Sequence, residues 1–106
     1  MLTMNQSMFG IQAEFCKAMG NTVRLQLLHV LREQPLSVSE ICKLTDFPQG
    51  TVSHQLTVLR SVGVVVSRQQ GSTKVYQITD SKIAEVCDLV REILVDQIHK
   101  RSQSIE

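Results

Sequence analysis

The stretch SVSEICKLTDFPQGTVSHQLTVLRSVG, residues 37–63, decides the fold. Ser37-Val38-Ser39-Glu40 has the form of a capping box, in which the Ser37 hydroxyl accepts a backbone N–H and the Glu40 side chain reaches back. A short helix to about Leu44 follows. Thr45-Asp46-Phe47-Pro48 reads as a tight turn, and Pro48 suits the start of the next helix. That helix runs from about Gln49 to Val62 and ends at Gly63, a residue suited to the position just past a helix C-terminus. Val52, Leu56 and Leu59 form its inward stripe, leaving Gln49, Thr51, Ser53, His54, Thr57 and Arg60 outward. Two short helices joined by a tight turn, the second polar on its outer face, make a helix-turn-helix pattern.

Downstream, the β-branched run Val64-Val65-Val66-Ser67-Arg68 predicts a strand, Gln69-Gln70-Gly71-Ser72 a turn, and Thr73–Ile78 a returning strand by its alternation. Thr79-Asp80 then caps a long last helix, about Ser81 to Arg101, with Ile83, Val86, Cys87, Val90, Leu94 and Ile98 on one stripe. Upstream, a first helix runs from about Asn5 or Ser7 to Met19, carrying Met8, Ile11, Phe15 and Met19 at helical spacing. Gly20 closes it, and Asn21 is the N-cap of a second helix from Thr22 to about Glu33, apolar on more than one face and stopped by Gln34-Pro35. The expected fold is mainly α with a small β-hairpin: a winged helix-turn-helix in the order α-α-α-α-β-β-α, one domain over residues 1–106.

The 106 residues carry 11 Lys and Arg against 10 Asp and Glu, a net charge of +1 that by itself points away from nucleic acid. The charges are unevenly placed, however. Residues 47–79 hold no Asp or Glu while Arg60, Arg68 and Lys74 contribute +3, and this window coincides with the polar helix and the hairpin. Such asymmetry points to an anionic partner. Gln49, Thr51, Ser53, His54, Gln55 and Thr57 are compact donors and acceptors for base edges or phosphate oxygens in a major groove. Arg60, Arg68 and Lys74 are placed to hold the backbone of double-stranded DNA on either side. A solvated Ser/Thr/Gln-rich surface is the competing structural explanation.

Other classes are disfavoured. No apolar run approaches a membrane span, the N-terminus lacks a basic n-region and an h-region, and three unpaired cysteines fit a reducing cytoplasm better than a secreted framework. Aromatic residues are 4% of the chain with no Trp, too few for single-strand stacking platforms. No Gly-rich phosphate loop, nucleophile–base set or carboxylate pair marks an enzyme, and no cofactor is expected.

Ala18–Leu25, Leu36–Ile41, Thr51–Leu56 with Leu59-Arg60, and Gly71–Tyr76 together resemble the ArsR/SmtB family of bacterial and archaeal repressors, over most of the chain from Phe15 to about Leu94. Thr51-Val52-Ser53-His54-Gln55-Leu56 is the most specific part. The resemblance implies a homodimer through the first and last helices that binds a palindromic operator. Pro48 departs from the family, which usually has a helix-capping Ser there.

Family members usually release DNA when a metal or thiol-reactive signal binds. The positions of the arsenic-type thiolates hold Ser37 and Ser39, and hydroxyls cannot replace thiolates for a soft metalloid. Of the zinc-type positions on the last helix, Asp80 matches, whereas Lys82, Ile93 and Asp96 occupy the others and His99 lies further along. Asp80 is better read as an N-cap, so no metal site is expected. Cys16 and Cys87 fall on the two helices that the resemblance places at the dimer interface, which makes them the candidate thiol sensor for an oxidant or persulfide. The family's persulfide sensors use the second and last helices, and the second-helix position here holds His29. The alternatives are small buried cysteines, a metal(loid) site built from convergent thiols, and a winged-helix protein-interaction module without inducer. Cys42 reads as structural, and His29, amid Leu27, Leu28 and Val30, as a core histidine.

Overall fold

A computed structural model describes residues 6–105. The elements are α1 (Gln6–Ala18), α2 (Thr22–Leu31), β1 (Leu36–Ser37), α3 (Val38–Thr45), α4 (Gln49–Ser61), β2 (Val65–Gln70), β3 (Thr73–Ile78) and α5 (Ser81–Ile105). The Asn5 start considered for the first helix lies outside the described residues.

Local chemistry accounts for most of these boundaries. Asn21 is extended, and its side chain accepts the Arg24 N–H at 3.0 Å, starting α2. At α3 the capping box is complete: Glu40 N–H donates to Ser37 Oγ at 3.1 Å, and Ser37 N–H donates to Glu40 Oε1 at 2.9 Å. Asp46 closes α3 in the left-handed conformation at φ 64, and its N–H donates to the Cys42 carbonyl at 2.8 Å. Pro48 sits at the N-cap of α4 with no side-chain cap. At the other end, Gly63 at φ 78 donates to Arg60 O and Val64 donates to Leu59 O, the paired bonds of a Schellman motif. In the hairpin, Gln70 pairs with Thr73, leaving the two-residue loop Gly71-Ser72. Gly71 takes the positive φ of 66 that such loops require at their first position.

One strand was not foreseen. Leu36-Ser37 pairs with Tyr76 and Val75, so the hairpin is part of a three-stranded antiparallel sheet ordered β1-β3-β2. Both β1 residues are buried, and two residues are too short to show an alternation. Ser37 therefore serves twice, as sheet edge and as N-cap. Ser37→Ala is expected to lower stability by about 1 kcal/mol in urea unfolding, the usual cost of losing a helix cap.

The core lies between α2, α3, α4 and the sheet. Leu27, Leu28, Leu31, Leu36, Ile41, Val52, Leu56, Leu59, Val64, Val65, Tyr76 and Ile83 form it. The stripe expected on α4 is confirmed, with Val52, Leu56 and Leu59 all within 1% of full burial. The last helix divides its apolar stripe between the core and the surface. Of that stripe, Ile83 is buried and Cys87 packs on the core, while Val86, Val90, Leu94 and Ile98 are 48–62% exposed. Met8, Phe9 and Ile11 on α1 are exposed as well. The radius of gyration, 16.4 Å, exceeds the roughly 13 Å of a compact chain this long, because 25-residue α5 runs past the core.

Candidate functional site

The α4 helix stands with its apolar stripe pinned to the core, and that anchorage fixes the face it presents outward. Gln49, Ser53, His54, Thr57 and Arg60 are exposed, and Thr51 and Gln55 lie on a half-buried flank. Thr57 Oγ1 donates back to the Ser53 carbonyl at 3.0 Å. Gln55 is not a free surface residue, since its Oε1 accepts from Arg24 Nη1 at 2.8 Å. Without a side-chain cap at Pro48, the first N–H groups of α4 keep their partial positive charge, which favours phosphate.

The hairpin adds the remaining charges. Arg68 is exposed on β2, where its Nε donates to Gln77 Oε1 at 3.1 Å and its Nη1 to Gln70 Oε1 at 3.3 Å. Lys74 is exposed on β3 opposite Gln69. Thr79 ties the base of the wing: its N–H donates to Val64 O at 3.0 Å and its Oγ1 to Gly63 O at 2.7 Å. An orientable polar helix and a basic wing are thus held on one rigid core, in the segment that lacks acidic residues.

A second feature lies on the other side of the chain. Phe15, Cys16, Met19, Leu28, Cys87 and Val90 line a largely apolar cavity of about 390 Å³ between α1, α2 and α5. The two candidate sensor cysteines therefore share one groove. Cys16 is exposed and Cys87 partly buried, and burial raises the Cys87 thiol pKa above its ordinary value. Cys42 is partly buried against the core, away from this lining. His29 lines the same groove and is exposed, correcting the expectation of a core histidine. The reason is that α2 uses one face for the core and turns another toward α5, so apolar neighbours in sequence do not bury His29.

Sequence reasoning missed the link that fastens α5. Arg32 grips Asp88 with both ends of its guanidinium, Nη1 to Oδ1 at 2.9 Å and Nη2 to Oδ2, and Arg91 approaches Asp88 at 3.6 Å. The two partners are 56 positions apart, so no local pattern reveals them. The hydrogen bond from Arg32 holds the Asp88 carboxyl below the ordinary carboxylate range. A depressed carboxyl stabilises the fold above its unfolded pKa, about 3.9, and that contribution disappears as pH falls through the native value. Asp88→Asn is expected to flatten the fall in Tm as pH drops below about 4, measured by circular dichroism.

Asp80 behaves as the N-cap expected of it. Its Oδ1 accepts the Lys82 N–H at 2.8 Å, and that bond lowers its carboxyl pKa. Among the described residues no group of three or more His, Cys, Asp or Glu is placed to hold a metal ion. No helix among them is long and apolar enough to cross a membrane.

A helix-turn-helix followed by a basic hairpin wing, with the outer face of its second helix free of acid, defines a winged-helix DNA-binding module. The chain belongs to the arsR family of bacterial regulatory proteins, whose model matches residues 21–67. It is 37% identical over 84 residues to an HTH-type transcriptional regulator of Methanocaldococcus jannaschii, covering 76% of this chain and 92% of that one. It is also 30% identical over 103 residues to an HTH-type transcriptional regulator of Mycobacterium tuberculosis, covering 96% and 90%. The crystal structure of a Mycobacterium tuberculosis protein superposes with TM-score 0.81 at 31% identity, over 92% of this chain and 98% of that one. A homodimeric winged helix-turn-helix DNA-binding domain from Mycobacterium bovis gives TM-score 0.81 at 28% identity, over 89% and 87%. Reduced HlyU from Vibrio cholerae gives 0.73 at 27% identity, over 83% and 93%. The chain is accordingly a transcriptional regulator of the ArsR type and not an enzyme.

Proposed function

We propose that the protein acts as a homodimeric repressor, one domain per chain, that binds a palindromic operator in the cytoplasm and releases it when a thiol-based signal reaches Cys16 and Cys87. The observation that carries the sensing part is the shared groove: two cysteines 71 positions apart in sequence line one apolar cavity between α1, α2 and α5. The dimer is supported by the exposed apolar residues of α1 and α5, Phe9, Ile11, Leu89, Ile93 and Ile98 among them. A soluble chain rarely leaves so extended an apolar surface without a partner. In the dimer, two α4 helices about 34 Å apart would enter successive major grooves. Gln49, Thr51, Ser53, His54, Gln55 and Thr57 would meet base edges or phosphates, with Arg60, Arg68 and Lys74 on the backbone.

The chemistry assigns unequal roles to the thiols. Exposed Cys16 meets the oxidant first, and Cys87, whose thiol burial makes harder to ionise, closes the bond. With hydrogen peroxide, two thiols become one disulfide and the peroxide leaves as two waters. A persulfide R–S–SH accepts the same two electrons and leaves as the thiol R–SH and hydrosulfide, and a polysulfide leaves as hydrosulfide and a chain one sulfur shorter. Joining α1 to α5 changes the surface on which the partner rests, and with it the spacing of the two α4 helices.

The test is operator binding by reduced, peroxide-treated and polysulfide-treated protein, alongside Cys16→Ser and Cys87→Ser. Treatment is expected to weaken wild-type binding at least tenfold, to be reversed by reductant, and to leave both variants unaffected. Unchanged affinity, or an equal response in Cys87→Ser, contradicts the sensing role.

A further inference from the structure

Arg24 and Gln55 are 31 positions apart in sequence and meet where the start of α2 abuts α4. Arg24 is fixed at two points: its Nε donates to the Ala18 carbonyl at 2.6 Å, and its Nη1 donates to Gln55 Oε1 at 2.8 Å. A guanidinium has donors and no acceptor, so the amide end facing it must be the oxygen. The other end, Nε2, has no hydrogen-bond partner among the described residues. No buried side-chain nitrogen or oxygen among them lacks a partner, so Nε2 is open to solvent.

We infer that Gln55 is a specificity-determining residue that offers the duplex chiefly its amide donor, because Arg24 occupies one lone pair of its carbonyl and anchors the amide. The inference rests on the reading that α4 enters the major groove. An unconstrained glutamine reads adenine with both ends, its oxygen accepting from N6 and its nitrogen donating to N7. With one of its two lone pairs held by Arg24 and the amide anchored, Oε1 is not free to turn toward the adenine N6 amino group. Guanine presents N7 and O6, two neighbouring acceptors that an N–H₂ group can meet. Swinging the amide around to free Oε1 would strip a partly buried charged donor of its partner, which opposes the adenine mode. Gln55 is thereby set for guanine by a residue on another helix. Arg24 is the positioning residue of the pair.

The experiment is competition binding of reduced protein against duplexes in which each half-site base pair is replaced in turn, using wild type, Gln55→Ala and Arg24→Ala. Wild type is expected to prefer guanine to adenine about tenfold at one position. Gln55→Ala should lose that preference and keep the others, and Arg24→Ala should shift it toward adenine at the same position. A wild-type preference for adenine at the Gln55-dependent position overturns the inference, as does a folded Arg24→Ala that still selects guanine. If Arg24→Ala fails to fold, wild type against Gln55→Ala decides the matter. Wild type that binds no duplex overturns the operator-binding reading as well. Wild type that binds, with every preference unchanged in Gln55→Ala, overturns this inference alone.

Discussion

Leu56→Ala is expected to destabilise the protein by about 2–5 kcal/mol, the range for truncating a fully buried leucine. Leu56 is 1% exposed and sits between Val52 and Leu59 on the stripe that fastens α4 to the core. Deleting its terminal carbons removes burial and leaves a cavity, because neighbours from several elements cannot all collapse into the space. Natural domains have about 5–15 kcal/mol to lose, so the variant should unfold at much lower urea and bind operator poorly at growth temperature. Thr57→Ala is the control. Thr57 is exposed, and its single hydrogen bond returns to its own helix, so its change should stay within about 0.5 kcal/mol. Equal midpoints for the two variants in urea unfolding would contradict the assigned core.

Removing the two wing charges together is expected to have the larger effect on binding. Each phosphate contact releases counterion and adds about 0.9 to the slope of log affinity against log salt. On the proposed reading, Arg68→Ala with Lys74→Ala removes two contacts per chain and four per dimer. The slope should therefore fall by about 3–4, and affinity near 0.15 M salt by roughly 10²–10³-fold. Arg68 is already oriented by Gln70 and Gln77, so little side-chain freedom is lost on contact. The loss should be similar for specific and non-specific duplexes, since phosphates carry no sequence. A slope equal to that of wild type would remove the hairpin from the interface. The modest net charge of +1 makes these few bases count.

The elements written into local sequence were readable, and those created by distant pairing were not. The capping box at Ser37, the left-handed glycines at 63 and 71, and the stripe Val52, Leu56 and Leu59 each follow from residues within a few positions of one another. The two-residue β1 has no such signature, because Leu36-Ser37 becomes a strand only when β3 arrives beside it. The Arg32–Asp88 and Arg24–Gln55 contacts likewise join residues that only the tertiary fold brings together. The last helix shows the opposite limit. Its apolar periodicity is real, yet most of that stripe is exposed in one chain, since a hydrophobic pattern marks a face to be covered without saying by which chain. His29 is exposed for a related reason: apolar neighbours on a helix do not bury a residue that points between faces.

We place DNA reading on the segment without acidic residues, α4 and the wing. That placement is tested most directly by following backbone amide resonances of the reduced protein as operator duplex is added. The largest changes are predicted over Gln49–Arg60 and Arg68–Lys74, with little change along the outer half of α5. Perturbations concentrated on α1 and α5, with α4 and the wing unmoved, would contradict the account.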